Sequence, residues 1–247
     1  MSDVMTTRLV MFDSADGTPV QGYLASPEGP GPRGGVIVLH HLPGFDRATR
    51  EIARRIAVLG YDALMINLHW REAPTATPDD ASAVVRAMGG VPDLQVVADA
   101  EGAAAYLRAL PTSNGRVGTI GFCSGGRQSV LVGCHVNVDA VVDCYGAYVT
   151  GIPIPEFPLK VTNLVDQLPG LRAPILGLFG NDDQFPSPAE VDELEQILTR
   201  LDKPHDLVRF DDAGHAFFFT DRDSYRVHAA VEGWERIADF YVKHLGA

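Results

Sequence analysis

The stretch Gly121-Phe122-Cys123-Ser124-Gly125-Gly126 constrains the chain more than any other. An apolar run at 115–120 leads into it, and a small-residue stretch at 126–136 with helical character leads out. The pattern is G-x-C-x-G, the strand–turn–helix signature that lifts a nucleophile clear at the end of a strand, with sulfur in place of the usual hydroxyl. So sharp a turn brings strand and helix together, and the positions two before and two after the nucleophile must do without a side chain. The following helix aims its free N–H groups and partial positive charge at the sulfur, which favours a thiolate and later an oxyanion. A glycine-rich turn around an inert buried cysteine would carry the same six residues, so the rest of the chain has to supply the partners.

Continuous apolar runs at 36–39, 61–68, 174–179 and around 139–145 read as strands buried on both faces. Strands are also expected at 7–12 and 20–25, joined by Asp16-Gly17-Thr18-Pro19, and at 206–210. Helices are expected at 47–59 with a stop at Gly60, at 79–88, at 92–110 before Pro111, and at 225–245. Another starts at the capping box Ser187-Pro188-Ala189-Glu190 and runs to about 201. Strands alternating with helices make an α/β chain, with a mostly parallel central sheet of about eight strands and helices on both faces. Sites in such sheets lie at the carboxyl ends of the strands. Residues 151–170 carry Pro153, Pro155, Pro158 and Pro169, resist regular structure and form a candidate lid or cap.

A length of 247 residues fits one domain spanning 1–247, and 46% hydrophobic content can fill its core. With 20 Lys+Arg against 32 Asp+Glu the net charge is −12, and no basic stretch stands out. Nucleic acid and membrane surfaces are therefore not expected partners. The odd set Cys123, Cys134 and Cys144 argues against a disulfide framework, and Cys134 and Cys144 read as small buried hydrophobes. Residues 1–10 lack the basic end and apolar core of a secretory signal, and no apolar run approaches the roughly 20 residues of a membrane span. The expectation is a cytoplasmic protein. His40-His41 lacks carboxylate or cysteine partners at ligand spacing, so no metal is expected.

Four predicted strand ends carry reactive or polar side chains: His40-His41, Cys123, Asp182-Asp183 and His215. The order nucleophile, acid, histidine is one of the known chain orders of a hydrolytic triad. His215 can take the thiol proton, and an aspartate can fix its ring. Backbone N–H groups of Ser124, directly after the nucleophile, and of Leu42, after the 36–39 strand, can serve as the oxyanion hole.

With GFCSGG at 121–126, NLHWREAP at 67–74, SNGRVGTIGFC at 113–123, GNDD at 180–183 and AGHAF at 213–217, the chain resembles the dienelactone hydrolase family. The resemblance implies the α/β-hydrolase fold and hydrolysis of small esters or lactones, such as dienelactones, by a Cys-His-Asp triad through a thioester. It implies no metal or organic cofactor, a small-molecule ester or lactone as the partner, and a monomer or weak homodimer. Carried over by position, Cys123 is the nucleophile, His215 the base and Asp183 the acid, ahead of Asp182.

Two departures stand out. The family's glutamate on the loop after the third strand is replaced by His41, and its carboxylate-binding arginine four residues after the catalytic histidine is replaced by Phe219. Arg86 is a candidate for a second family arginine. His41, Trp70, Arg71, Arg86, Tyr145 and Phe219 are the candidate pocket residues. Loss of a bidentate carboxylate partner favours a more neutral ester. A neutral-ester carboxylesterase on the same triad is one alternative. A non-hydrolytic ligand-binding or redox-sensing member of the fold is the other.

Overall fold

The computed structural model describes residues 4–154, 157 and 159–246; Pro155 and Pro158 lie outside the described residues. Eight strands form one sheet in the order β1-β2-β4-β3-β5-β6-β7-β8. They are β1 (Met5–Asp13), β2 (Pro19–Pro27), β3 (Arg33–Leu39), β4 (Asp62–Ile66), β5 (Ser113–Phe122), β6 (Ala140–Cys144), β7 (Ile175–Gly180) and β8 (His205–Phe210). From β4 to β8 neighbouring strands are parallel, while β2 runs antiparallel to both β1 and β4. This is the α/β-hydrolase arrangement that the sequence leads one to expect.

The apolar runs explain the sheet's centre. Every residue of β3, β4, β6 and β7 is buried, as are the last six of β5. Two helical layers cover it. On one face α1 (Arg47–Val58) and α6 (Val227–Leu245) press Ile52, Ile56, Trp234, Ile237 and Tyr241 onto the strands. On the other, α3 (Asp93–Arg108), α4 (Ser124–His135) and α5 (Pro188–Arg200) bring in Val96, Leu107, Val130, Leu194 and Leu198. A further helix, α2 (Pro78–Met88), buries Ala81 and Val85.

Local chemistry sets the helix ends. Asp46 caps α1 by accepting the Thr49 N–H at 2.8 Å, and Ser187 with Glu190 closes a reciprocal capping box on α5. Among its described residues the 151–170 segment forms one short 3-10 turn, Leu168–Gly170, and the side chains of Leu159, Leu164 and Leu168 are buried. Among the described residues no helix is long and apolar enough to cross a membrane.

Candidate active site

The turn between β5 and α4 is built by crowding. A Cβ on Gly121 would strike the Gly125 carbonyl, and one on Gly125 would strike the Leu39 carbonyl. Cys123 between them is held at φ +57°, a conformation L-residues seldom adopt, and is partly exposed. Its own carbonyl accepts the Gly126 N–H at 2.9 Å and so starts α4.

The loop after β8 brings His215 to the same strand end. Its Nδ1–H donates to Asp183 Oδ2 at 2.8 Å. The other Asp183 oxygen accepts the Phe185 N–H at 2.9 Å. Asp182 is exposed, and its backbone N–H ties the turn to the Ala213 carbonyl at 2.9 Å. The two loops meet because Gly180 has no side chain; a Cβ there would strike the Ala213 carbonyl. Burial works against an imidazolium at His215, but hydrogen bonds to Asp183 and Cys123 outweigh it and push the pKa up to about 10.

Strain is concentrated around this point. Besides Cys123, the non-glycine residues Tyr145 (φ +45°), Tyr148 (φ +63°) and Ala216 (φ +65°) adopt left-handed backbone on the loops that surround Cys123 and His215. The Tyr145 ring meets His215 edge-on at 5.1 Å.

On the β3 side, a cavity of about 50 Å³ is lined by Leu42, Ser124, His40, His41, His69 and Gln128, among others. Neither the Leu42 N–H nor the Ser124 N–H donates to an acceptor among the described residues. His40 is buried, and burial together with neighbouring His69 holds it well below the usual imidazole range. Burial and the charge of His41 lower His69 to about 4. Among the described residues no cluster of His, Cys, Asp or Glu is arranged to hold a metal ion.

The remaining pocket candidates separate. His41 lines the cavity, pairs with Asp46 Oδ2 at 2.8 Å and stacks on Phe219 at 4.8 Å. Phe219 is buried and also meets Phe122 at 5.8 Å. The two positions that depart from the family pattern are therefore in contact with each other. Trp70 packs on the core and lines a separate hollow with Phe45 and Asn67. Arg71 is turned away from the cavity and pinned to Asp16, Ser14, Thr18 and Asp99, where it clamps the β1–β2 turn against α3. Arg86 is exposed on α2, and its neighbour Val85 lines the cavity instead.

Sequence reasoning missed three residues. Tyr148 stands near Cys123: burial, Glu190 and the Cys123 charge all raise its hydroxyl pKa. Its ring meets Phe157 at 4.8 Å and Phe185 at 6.0 Å, beside exposed Ile152 and Ile154 on the same chain segment. Asp46, the partner of His41, is the N-cap of α1. Asp143, in mid-strand on β6, is fully buried between Gly126 and Gly146 and accepts the Gly146 N–H at 2.8 Å. Burial pushes its carboxyl up to about 7.

Sheet order and the strained turn define an α/β-hydrolase. The profile of the "Dienelactone hydrolase family" matches residues 20–245. A "Putative carboxymethylenebutenolidase" of Methylorubrum extorquens is 33% identical over 225 residues, which are 90% of this chain and 76% of that protein. One of Escherichia coli K12 is 32% identical over 94% of this chain and 85% of its own length. A crystal structure described as a "Putative Dienelactone Hydrolase" from Klebsiella pneumoniae superposes with a TM-score of 0.83 at 27% identity, covering 98% of this chain and 100% of that one. The chain belongs to the dienelactone hydrolase family, and with it to the enzymes that hydrolyse carboxylic esters.

Proposed function

We propose that the chain hydrolyses small carboxylic esters or lactones through a thioester on Cys123. The observation that carries this is His215, hydrogen-bonded to Asp183 at 2.8 Å and, with Cys123 as a second partner, held above the usual imidazole range. The Cys123 sulfur attacks the ester carbonyl; a C–S bond forms and the carbonyl electron pair moves to oxygen. The N–H groups of Leu42 and Ser124 receive that oxyanion. As the intermediate collapses, the C–O bond breaks and the leaving alkoxide takes the proton of the His215 imidazolium; in a lactone it stays tethered. Neutral His215 then removes a proton from water, the hydroxide adds to the thioester, and the C–S bond breaks. The acid leaves, and thiolate and imidazolium are restored.

The surroundings favour an uncharged substrate. Phe219 is stacked and buried, Arg71 is engaged elsewhere and Arg86 faces solvent, so none of these offers a guanidinium fork to a carboxylate. Tyr148, Phe157 and Phe185 offer apolar contact near the sulfur. Turnover of p-nitrophenyl acetate and of a cis-dienelactone, by wild type and by Cys123→Ala, tests the reading. The expected result is hydrolysis of the neutral ester, reduced about 10³-fold or more in the variant, with weaker turnover of the charged lactone. Full activity in Cys123→Ala would end the thioester proposal.

A further inference from the structure

The ring of His40 is 1% exposed, and its two nitrogens have partners of opposite kind. Nδ1 lies 2.7 Å from the His41 carbonyl oxygen, which can only accept, so Nδ1 carries the proton. Nε2 lies 3.1 Å from the Leu68 backbone nitrogen, which can only donate, so Nε2 is the bare acceptor. The two contacts define one neutral tautomer. They also join two chain segments: the turn that follows β3, and the stretch just past the end of β4. The His69 ring meets His40 edge-on at 4.8 Å and closes the remaining side.

The bond to His41 has a geometric consequence. The peptide between His41 and Leu42 is trans and planar, so its C=O and N–H point in opposite directions. His40 Nδ1–H and the Gly44 N–H, the latter at 2.9 Å, both hold the His41 oxygen. The Leu42 N–H on the far side of the same peptide is thereby turned away from them; it has no acceptor among the described residues, and Leu42 lines the same cavity as Ser124.

We infer that His40 is a positioning residue for the oxyanion hole: its neutral imidazole ties the His41 carbonyl to the end of β4 and so aims the Leu42 N–H at the substrate oxygen. His40 itself touches no reacting atom. The inference rests on the thioester reading above, because only a carbonyl substrate develops the charge that Leu42 would receive.

The test compares His40→Phe, which keeps a ring and loses both hydrogen bonds, with His40→Gln, whose amide keeps a donor and an acceptor at similar separation. Three quantities are measured for each: kcat and KM on p-nitrophenyl acetate, the rate at which iodoacetamide alkylates Cys123, and Tm. Alkylation displaces iodide at a saturated carbon and builds no oxyanion, so it reports the thiol alone. The expected result for His40→Phe is a fall in kcat of about 100-fold, as for loss of one oxyanion donor, with KM and the alkylation rate nearly unchanged. His40→Gln should recover most of kcat.

A His40→Phe enzyme with kcat within about threefold of wild type would overturn the inference. So would parallel losses of kcat and alkylation, which would mark a collapsed site rather than a misaimed donor. If His40→Phe does not fold, His40→Met fills the space without hydrogen bonds and is judged by the same outcomes. A wild type that fails to turn over the ester would overturn the thioester reading and this inference with it, which is a different result from an active wild type and an unaffected variant.

Discussion

Two imidazole–carboxylate pairs stand near the same strand ends, His215 with Asp183 and His41 with Asp46, each with an N–O distance of 2.8 Å. Their surroundings differ. His215 is partly exposed and interacts with Cys123 on its other side, which in the proposed reaction makes it the proton carrier for the sulfur. His41 is buried and lies flat against Phe219, and its carboxylate also caps α1 through the Thr49 N–H and hydroxyl. A carboxylate behind a histidine does not by itself make a catalytic base. The group on the ring's other nitrogen decides the role. Asp143, buried like Asp183, accepts the Gly146 N–H but has no imidazole partner among the described residues, and burial pushes its pKa up to about 7.

The largest effect is expected from Asp183→Asn. An amide cannot hold the Nδ1–H tautomer or the imidazolium, and ester turnover should fall by about 10³-fold. Asp183 raises the His215 pKa, so the alkaline limb of kcat/KM, set near about 10 in wild type, should move down toward the ordinary 6.5. The stability this pair contributes follows the same sign. It is fully present below 6.5 and lost as pH rises through about 10, and the variant should lack that loss. A pH–rate profile and urea denaturation across the range check both.

Asp143→Asn should act on stability through pH. A carboxyl raised from 3.8 to about 7 contributes stability that is present below 3.8 and lost as pH rises through 7. The variant should therefore gain on wild type between pH 4 and pH 8 by on the order of 3 kcal/mol in chemical denaturation. The smallest effect is expected from Asp46→Asn. Asparagine caps a helix as well as aspartate does, so the loss should stay under about 1 kcal/mol. Ester turnover should hold within about threefold of wild type. A loss as large as that of Asp183→Asn would make the two pairs equivalents and end the distinction.

The sheet, its strand count and the helix positions were legible because buried parallel strands are written as unbroken apolar runs and the helices carry local stop and cap signals, such as Gly60 and the Ser187–Glu190 box. The elbow was legible for a similar reason, since the glycines at 121 and 125 answer to atoms that the turn itself brings close. What was not legible depends on contacts distant in sequence. Arg71 reads as a pocket cation next to a strand end, but its partners lie 28 to 57 residues away. Tyr148 follows Cys123 by 25 positions and is brought back by a left-handed turn that no local residue choice announces. His41 and Phe219 could each be seen as a replacement, yet their stacking, between positions 178 residues apart, could not.

The exposed rim at Ile152, Ile154 and Phe185 divides the molecule for anyone who would evolve it. The elbow admits almost no variation, because each glycine there is matched to a backbone atom that cannot retreat. The side chains of the rim are exposed and apolar and lead to Tyr148, and the one tie from the rim to Asp183 runs through the Phe185 backbone N–H, which side-chain changes leave in place. Libraries placed on the rim would sample new substrates while leaving the chemistry intact. Libraries placed on the elbow would mostly return proteins that never assemble a site at all.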